Sequence, residues 1–407
     1  MQPEGYASGA RWRLHLLIAL LLIQPGAQAW ERRISGFIAA DLRAFVEAPQ
    51  FEDQFRGLEP GLVLQPEFGL ESENRSNQFS LIPFVRLDGR DSRRTHADLR
   101  ELWWQHFGFN WDLLLGVNRV FWGVTESRHL VDIINQTDLV EDIDGEDKLG
   151  QPMLRLSYQQ DWGAVSLFVL PGFRERTFSG AEGRLRFPLV TDSDAEYEAD
   201  AEQRHVDVAL RYAHFLGAWD IGLHYFKGTG REPSFIPNAD STRLIPVYDL
   251  IDQAGADIQY TRGSWLWKFE GLWRAQHGDH FFATTAGFEY TLYQLFKSDA
   301  DLGLLLEYSY DGRDDDFTEA PPTLFENDLF AGMRLVLNDV QGTSMLAGFV
   351  VDADERSIQL SVEAERRLTN HWSAVLESRW FLNTDDQDIV AAFADDSYIS
   401  LRLARYF

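Results

Sequence analysis

The side chains best placed to do chemistry together follow a Trp-Gly pair at residues 122–123. Glu126, Arg128, His129 and Asp132 stand in one short stretch, and a run of carboxylates comes directly after them. Acidic and basic side chains at such close spacing can line a narrow aqueous passage and select solutes by charge and size. The chemistry indicated is electrostatic, with no bond made or broken.

Two other motifs could suggest metal binding. His277, Asp279 and His280 form the motif HGDH, but no third partner is in view, so a solvated loop is the favoured interpretation. The acidic run that begins at Asp311 lacks the Gly and Glu spacing of a calcium loop. Loose divalent binding between acidic loops and lipopolysaccharide is the weaker alternative there. The sequence therefore predicts no metal site and no cofactor.

The composition excludes several other classes of site. The chain has 407 residues, no cysteine and a formal charge of −27. Disulfides and thiolate metal sites are excluded, and the acidity argues against a nucleic-acid partner, because phosphate binding needs clustered Lys and Arg. Neither a Gly-x-Ser-x-Gly nor a Ser-x-x-Lys element occurs. A barrel enzyme of the lipase or protease type stays open as an alternative, because its Ser, His and acidic residues could lie far apart in sequence.

The elements that must position these residues are β-strands, because apolar side chains recur at every second position along most of the chain. The run DLGLLLEYSY at residues 301–310 is one example. The alternation predicts about 18 strands. They are expected to start near residues 34, 62, 77, 96, 111, 152, 164, 204, 219, 252, 264, 280, 300, 328, 343, 356, 371 and 397.

The connections between these strands alternate in length. Short turns rich in Gly, Asn, Asp and Ser alternate with mostly longer, acidic stretches. The longer stretches lie near residues 47–61, 124–151, 174–203, 231–251, 311–327 and 384–396. Outer-membrane barrels are built with short periplasmic turns and longer extracellular loops. The short stretch DADER at residues 352–356 falls in the long phase and departs from this pattern.

The first 29 residues have the pattern of a signal peptide. Arg11 and Arg13 precede an apolar run at residues 14–23, and Ala27-Gln28-Ala29 forms a small-x-small cleavage site. The apolar run is shorter than the roughly 20 residues that a spanning helix needs. We therefore expect residues 1–29 to be removed and residues 30–407 to form one barrel domain.

The polar face of the strands is expected to line the interior. A closed barrel of about 18 strands is too wide for side chains to fill, so its interior holds water and its apolar face meets lipid. The inward charged residues predicted to line the pore are Asp207, Arg211, Lys268, Glu270, Arg334, Glu377, Arg379 and Arg402. Three pairs of opposite charge stand two or four residues apart on this face: Asp207 with Arg211, Lys268 with Glu270, and Glu377 with Arg379. These pairs either brace the wall or mark a solute path. The Trp and Tyr residues near strand ends, such as Trp111, Trp122 and Trp219, are expected to form girdles at the headgroups.

The final strand, SYISLRLARYF, carries Ile399, Leu401 and Leu403 on one parity and ends in Phe407. It resembles the C-terminal strand of Gram-negative outer-membrane proteins, whose end is read by the barrel assembly machinery. The resemblance implies that these four residues act as an assembly signal. Arg405 departs from the family pattern by standing on the lipid-facing parity, where an Arg near the rim can snorkel to the headgroups.

The stretch after Trp122 resembles a motif of porin-like outer-membrane proteins, in which a Trp-Gly strand end is followed by Asp-Ile-Ile-Asn. In porins the third long connection folds into the lumen and narrows it, so the resemblance implies a constriction loop at residues 124–151. Apolar residues at helical spacing, including Leu130, Ile133 and Ile134, support the alternative of an outside loop with a solvated helix. The sequence leaves both open.

Together these patterns predict an all-β protein: a transmembrane, antiparallel, up-and-down β-barrel in a Gram-negative outer membrane. The expected function is a porin-like channel for passive diffusion of small polar or charged solutes. The alternatives are a barrel enzyme, or a receptor or export-partner barrel without an open pore. Expected partners are outer-membrane lipid and lipopolysaccharide, the barrel assembly machinery, small solutes and further copies of the chain, because porin-like barrels often associate.

Overall fold

The computed structural model describes residues 30–385 and 388–407. The predicted signal peptide lies outside the described residues. The strands are β1 (Trp30–Phe45), β2 (Leu58–Ser72), β3 (Asn77–Asp88), β4 (His96–Phe107), β5 (Trp111–Asn118), β6 (Gln151–Gln160), β7 (Gly163–Pro171), β8 (Val190–Thr191), β9 (Glu196–Tyr197), β10 (Val206–Leu216), β11 (Trp219–Thr229), β12 (Ser234–Pro237), β13 (Arg243–Tyr248), β14 (Leu250–Arg262), β15 (Trp265–Gln276), β16 (Asp279–Leu292), β17 (Asp301–Asp311), β18 (Asn327–Val336), β19 (Ser344–Asp352), β20 (Ile358–Arg367), β21 (Trp372–Leu382) and β22 (Tyr398–Tyr406). Three short 3-10 helices occupy Glu202–Arg204, Leu295–Lys297 and Ile389–Phe393.

Eighteen of these strands form one closed antiparallel barrel. Each barrel strand pairs with its neighbours in the chain, and β1 closes the ring by pairing with both β2 and β22. The four short strands β8, β9, β12 and β13 form a separate small sheet within two of the connections. The predicted fold class is confirmed, and each predicted strand start falls within four residues of an observed one. Closure leaves no unpaired sheet edge, which is the condition for strands to cross a membrane.

The connections differ between the two ends of the barrel. At the turn end they are residues 73–76, 108–110, 161–162, 217–218, 263–264, 293–300, 337–343 and 368–371. At the loop end they are residues 46–57, 89–95, 119–150, 172–205, 230–249, 277–278, 312–326, 353–357 and 383–397. The predicted alternation of short and long holds except at 89–95, 277–278 and 353–357, which lie at the loop end but are no longer than the longest connections of the turn end. Residues 119–150 are called the inward loop below.

The outer surface of the barrel is apolar and the inner surface is mostly polar. On β15, Trp265, Trp267 and Trp273 are exposed on the outside, whereas Lys268 and Glu270 are buried on the inside. In water, exposed apolar surface costs about 25 cal/mol per Å². The predicted orientation of the two faces is thus confirmed, and the outer face suits a lipid environment.

Within residues 30–385 and 388–407, no helix is long and apolar enough to cross a membrane.

The interior is not polar throughout. The largest apolar cluster lies inside the barrel, where the inward loop contacts the inner faces of β5–β7, β10, β11 and β14. Trp122 belongs to this cluster: it is 5% exposed and packs against Phe168 at a ring distance of 5.6 Å. Its prediction as a girdle residue is wrong, because it sits just beyond the end of β5, where the chain has already turned into the lumen.

Candidate functional site: the inward loop and the lumen

Near its start, beside Gly123, the inward loop is fixed by Glu270 of β15. Gly123 has a φ of +118°, and a Cβ at this position would lie 2.8 Å from the Glu270 Oε1 atom, so only glycine leaves room. The buried Glu270 carboxylate accepts hydrogen bonds from the backbone N–H groups of Val124 at 2.6 Å and Thr125 at 2.9 Å. It also accepts from the Val131 N–H at 3.1 Å and the Thr125 hydroxyl at 2.7 Å. One inward carboxylate thereby satisfies the donors of an irregular segment that would otherwise be unpaired.

A second wall carboxylate holds the next residues of the loop. Glu307 of β17 accepts the Glu126 N–H at 2.8 Å, the Ser127 N–H at 2.8 Å and the Ser127 hydroxyl at 2.7 Å. In the barrel, β5 is the fifth strand and β17 the thirteenth of 18, so these bonds reach across nearly the full diameter. The inward loop therefore crosses the lumen and does not project from the barrel end.

The middle of the loop packs on the wall through apolar contacts. Val131, Ile133 and Ile134 are at most 2% exposed. Their neighbours on the inner wall include Leu114, Met153, Phe168, Leu170 and Phe226. Residues 119–150 contain turns and bends but no helix. The alternative of an outside loop with a solvated helix is therefore wrong, because the apolar residues are used in contacts with the wall.

The far end of the loop docks on arginines of β3 and β4. The Arg86 side chain, 1% exposed, donates two hydrogen bonds of 2.5 Å to Glu141 of the loop and one of 2.7 Å to Asp41 of β1. Arg100 donates to Asp138 of the loop at 2.6 Å. Bidentate arginine–carboxylate pairs fix orientation as well as distance. Sequence reasoning missed both arginines. Arg86 stands between the outward Val85 and Leu87 and so carries the inward parity, whereas Arg100 lies at a β-bulge and shares its parity with the outward Leu102.

Arg379 of β21 joins the loop to a third part of the wall. Its guanidinium lies 2.7 Å from Asp144 and 3.3 Å from Asp142, both in the loop. Burial alone would raise the pKa of Asp142, but Arg379 and Arg43 lower it to about 2. Burial and the neighbouring Asp142 raise the pKa of Asp144 well above its usual range. The predicted pair of Glu377 with Arg379 is present at 3.0 Å.

A cavity of about 460 Å³ remains between the inward loop and the wall of β18–β21. Its charged lining residues are Glu126, Arg128, His129, Asp144, Glu146, Glu363 and Arg379. A second cavity of about 250 Å³ lies towards the loop end and shares Arg128, His129 and Asp144 with the first. The two cavities adjoin at the inward loop. Three of the residues singled out from the sequence, Glu126, Arg128 and His129, border the larger cavity.

Those three residues each have a charged partner. Glu126 is hydrogen-bonded to Arg334 of β18 and lies 3.5 Å from the Lys268 ammonium. Arg128 donates to Asp311 at 2.7 Å.

The His129 Nε2 atom lies 2.6 Å from a carboxylate oxygen of Glu146. Burial lowers the pKa of His129, but Glu146 outweighs it and raises the pKa to about 9. His129 therefore carries a positive charge at neutral pH, next to both cavities.

Two predicted ion pairs form with other partners. Asp207 accepts from Arg231 of the 230–249 connection at 2.8 Å, while Arg211 makes two bonds of 2.8 Å to Asp257 on another strand. Residues four apart on a strand are separated by about 13 Å, so a charged residue on a neighbouring segment lies closer and takes the place of the predicted partner. Lys268 does not pair with Glu270 either, because the Glu270 carboxylate is taken by the inward loop.

The remaining predicted residues lie away from the cavity. Asp132 is buried behind the loop, with Lys148 at 3.3 Å. Arg402 lies 2.8 Å from Asp41 on the β1–β22 side of the lumen. On β22, the outward residues Ile399, Leu401 and Leu403 are exposed, and the Phe407 N–H donates to the Gly36 carbonyl at 3.1 Å. Their role in assembly stays a prediction.

No protein-family model and no curated protein sequence matches the chain. Solved structures do resemble it. A BenF-like porin from Pseudomonas fluorescens Pf-5 aligns with a TM-score of 0.54 and 10% identity, over 93% of this chain and 98% of that one. OpdQ of Pseudomonas aeruginosa aligns with a TM-score of 0.51 and 11% identity, over 93% and 97% of the two chains. At such identities the likeness concerns architecture, and the chain has the porin fold: a closed barrel of 18 antiparallel strands.

Proposed function

We propose that the protein is an outer-membrane channel through which small polar or charged solutes diffuse passively. The observation that carries the proposal is the path of the inward loop. Backbone bonds to Glu270 and Glu307 and side-chain bonds to Arg86 hold it across the lumen, leaving a charged gap of about 460 Å³ beside β18–β21. A loop fixed in this way narrows a wide barrel to a passage of solute size.

The positions of the charged residues around the gap support passage of solutes rather than tight binding of a ligand. Glu126 and Asp144 of the loop are each bonded to an arginine of the wall, Arg334 and Arg379. Because the gap is lined by both acidic and basic side chains, we expect it to select solutes weakly by the sign of their charge and more strongly by their width. Of the residues predicted to line the pore, Glu126, Arg128, His129 and Arg379 border the gap and keep that role in this proposal.

The channel is proposed to lie in the outer membrane of a Gram-negative cell, with the loop end outside. The apolar outer face supports contact with lipid, and the acidic loops support contact with lipopolysaccharide bridged by divalent cations. We further propose association of several copies and assembly of the last strand by the barrel machinery. No chemical step is proposed.

A liposome-swelling assay tests this proposal. The purified chain, reconstituted into liposomes, is expected to admit small sugars and amino acids at rates that fall with solute size. A heat-modifiable, folded barrel that admits none of them would overturn the proposal and would favour a closed receptor barrel. Hydrolysis of lipid or peptide without swelling would favour the barrel enzyme.

A further inference from the structure

Three loop-end connections meet around one buried carboxylate, that of Asp249. Glu198 comes from the 172–205 connection, Asp249 ends the 230–249 connection, and His277 is in the 277–278 turn. One ligand atom from each of these residues lies within 4.8 Å of the others. This group is distinct from the lumen site, since none of its members lines the cavities beside the inward loop.

The small sheet brings Glu198 to Asp249. Strands β9 and β13 pair in parallel, with Tyr197 beside Tyr248, so the next residue of each strand also comes together. The Glu198 N–H donates to the Tyr248 carbonyl at 3.0 Å, and a Glu198 carboxylate oxygen accepts the Leu250 N–H at 2.7 Å. Backbone pairing therefore fixes the position of this carboxylate at the outer surface.

The barrel wall brings His277 to the same place. On the antiparallel strands β14 and β15, Ile251 stands opposite Gln276, so His277 lies level with Leu250, the residue next to Asp249. The His277 Nε2 atom is 2.7 Å from the Asp249 Oδ1 atom. Strand pairing in the small sheet and in the barrel thus brings Glu198 and His277 to Asp249.

The Asp249 carboxylate lacks a donor on the side that faces this group. It is 2% exposed, and its Oδ2 atom accepts from the Gln276 side chain at 2.6 Å, which fixes its orientation. Its buried Oδ1 atom makes no hydrogen bond of regular geometry, and its nearest polar neighbour is the His277 Nε2 atom at 2.7 Å. A buried carboxylate oxygen without a donor calls for an explanation, and a cation would supply it.

We propose that Glu198, Asp249 and His277 bind a divalent transition metal of the zinc class. One imidazole nitrogen and two carboxylate oxygens suit such an ion better than Ca²⁺ or Mg²⁺, which take oxygen ligands, and water completes the coordination. The ion ties the small sheet to the β15–β16 turn and so stiffens one side of the outer rim. The sequence could not reveal this group, because its members are far apart in the chain and HGDH shows only one of them.

A second group of His, Asp and Glu in the described chain provides an internal comparison. His96, Asp138 and Glu141 also lie within 4.8 Å of one another. Their carboxylates are already neutralised, because Arg100 bonds to Asp138 at 2.6 Å and Arg86 bonds to Glu141 at 2.5 Å. Bound guanidinium groups occupy the positions that a metal would need, so this group is expected to remain metal-free.

The test is a Zn²⁺ titration by isothermal calorimetry on the full chain, folded in detergent and first stripped with chelator. Wild type is expected to bind Zn²⁺, and Asp249→Asn and His277→Ala are each expected to lose one binding equivalent. Glu198→Gln changes an exposed side chain and keeps the test valid if the other variants fold poorly. His280→Ala, beside the turn, and His96→Ala, in the comparison group, are expected to retain the equivalent.

Two results would overturn the proposal. One is a wild-type protein that binds no Zn²⁺ while it remains heat-modifiable, and the other is equal stoichiometry in wild type and all three ligand variants. Displacement of Zn²⁺ by an equal concentration of Ca²⁺ would overturn the assignment to a transition metal. Since this titration measures no transport, its failure leaves the swelling assay of the channel unaffected.

Discussion

Replacing both wall carboxylates that hold the inward loop should release the loop from β15 and β17. In the double variant Glu270→Gln and Glu307→Gln, shape is kept but the negative charge is lost. Glu270 accepts four hydrogen bonds from the loop, and Glu307 accepts from three loop donors, one of them shared between its two oxygens. A bond to a charged acceptor contributes about 1 kcal/mol more than a neutral one, and bonds to one group are far from additive. We therefore expect a loss of about 4 kcal/mol in loop docking, which raises the displaced population roughly 1,000-fold.

Single-channel recording in planar bilayers measures this effect. The double variant is expected to show larger and noisier conductance than wild type, because the displaced loop no longer narrows the lumen. Glu67→Gln is the matched control, since Glu67 also faces inward but bonds to Ser35 at 3.2 Å and not to the loop. Unchanged conductance and noise in a folded double variant would refute the reasoning that these bonds hold the loop in place.

Three further perturbations address the same loop. Arg86→Ala leaves the buried Glu141 carboxylate without its arginine, while Asp41 keeps Arg402, and should lower stability by about 3–5 kcal/mol, measured as a loss of melting temperature; Arg75→Ala, at an 83% exposed side chain, should leave it unchanged. Gly123→Ala should displace the loop start and speed liposome swelling, because its Cβ would meet Glu270 at 2.8 Å; equal swelling would contradict the packing described. The pKa of His129 is raised from 6.5 to about 9, so its contribution to docking is complete below 6.5 and lost as the pH rises through 9. Channel noise should therefore increase over that pH range in wild type but not in His129→Gln, and identical profiles would count against the pairing with Glu146.

The barrel itself was accessible from the sequence because strand geometry is local. A period of two assigns each side chain to one face, and closure of many strands then decides which face meets water. Lys268 and Glu270 were placed correctly on the inner face of β15 in this way. The turn residues also specified most connections, and the 89–95, 277–278 and 353–357 connections departed from the alternation of short and long.

The partners inside the lumen were not accessible in this way. The alternation along a strand shows which face a residue is on, but not which other segment of the chain will contact it. The contacting segments are far apart in sequence: Glu126 and Glu307 are separated by 181 residues. Arg211 consequently pairs with Asp257 rather than with the nearby Asp207. The spacing of the apolar residues after Trp122 was ambiguous for the same reason. Apolar residues are needed both by an irregular loop that packs on the barrel wall and by an amphipathic helix.

The central claim is that the barrel encloses an open, loop-narrowed water path. Single-channel recording of the unmodified, refolded chain in planar bilayers tests it most directly. We predict stable conductance steps with a linear current–voltage relation and a small unit size for a barrel of 18 strands. Insertion of a folded, heat-modifiable barrel that passes no current would contradict the account.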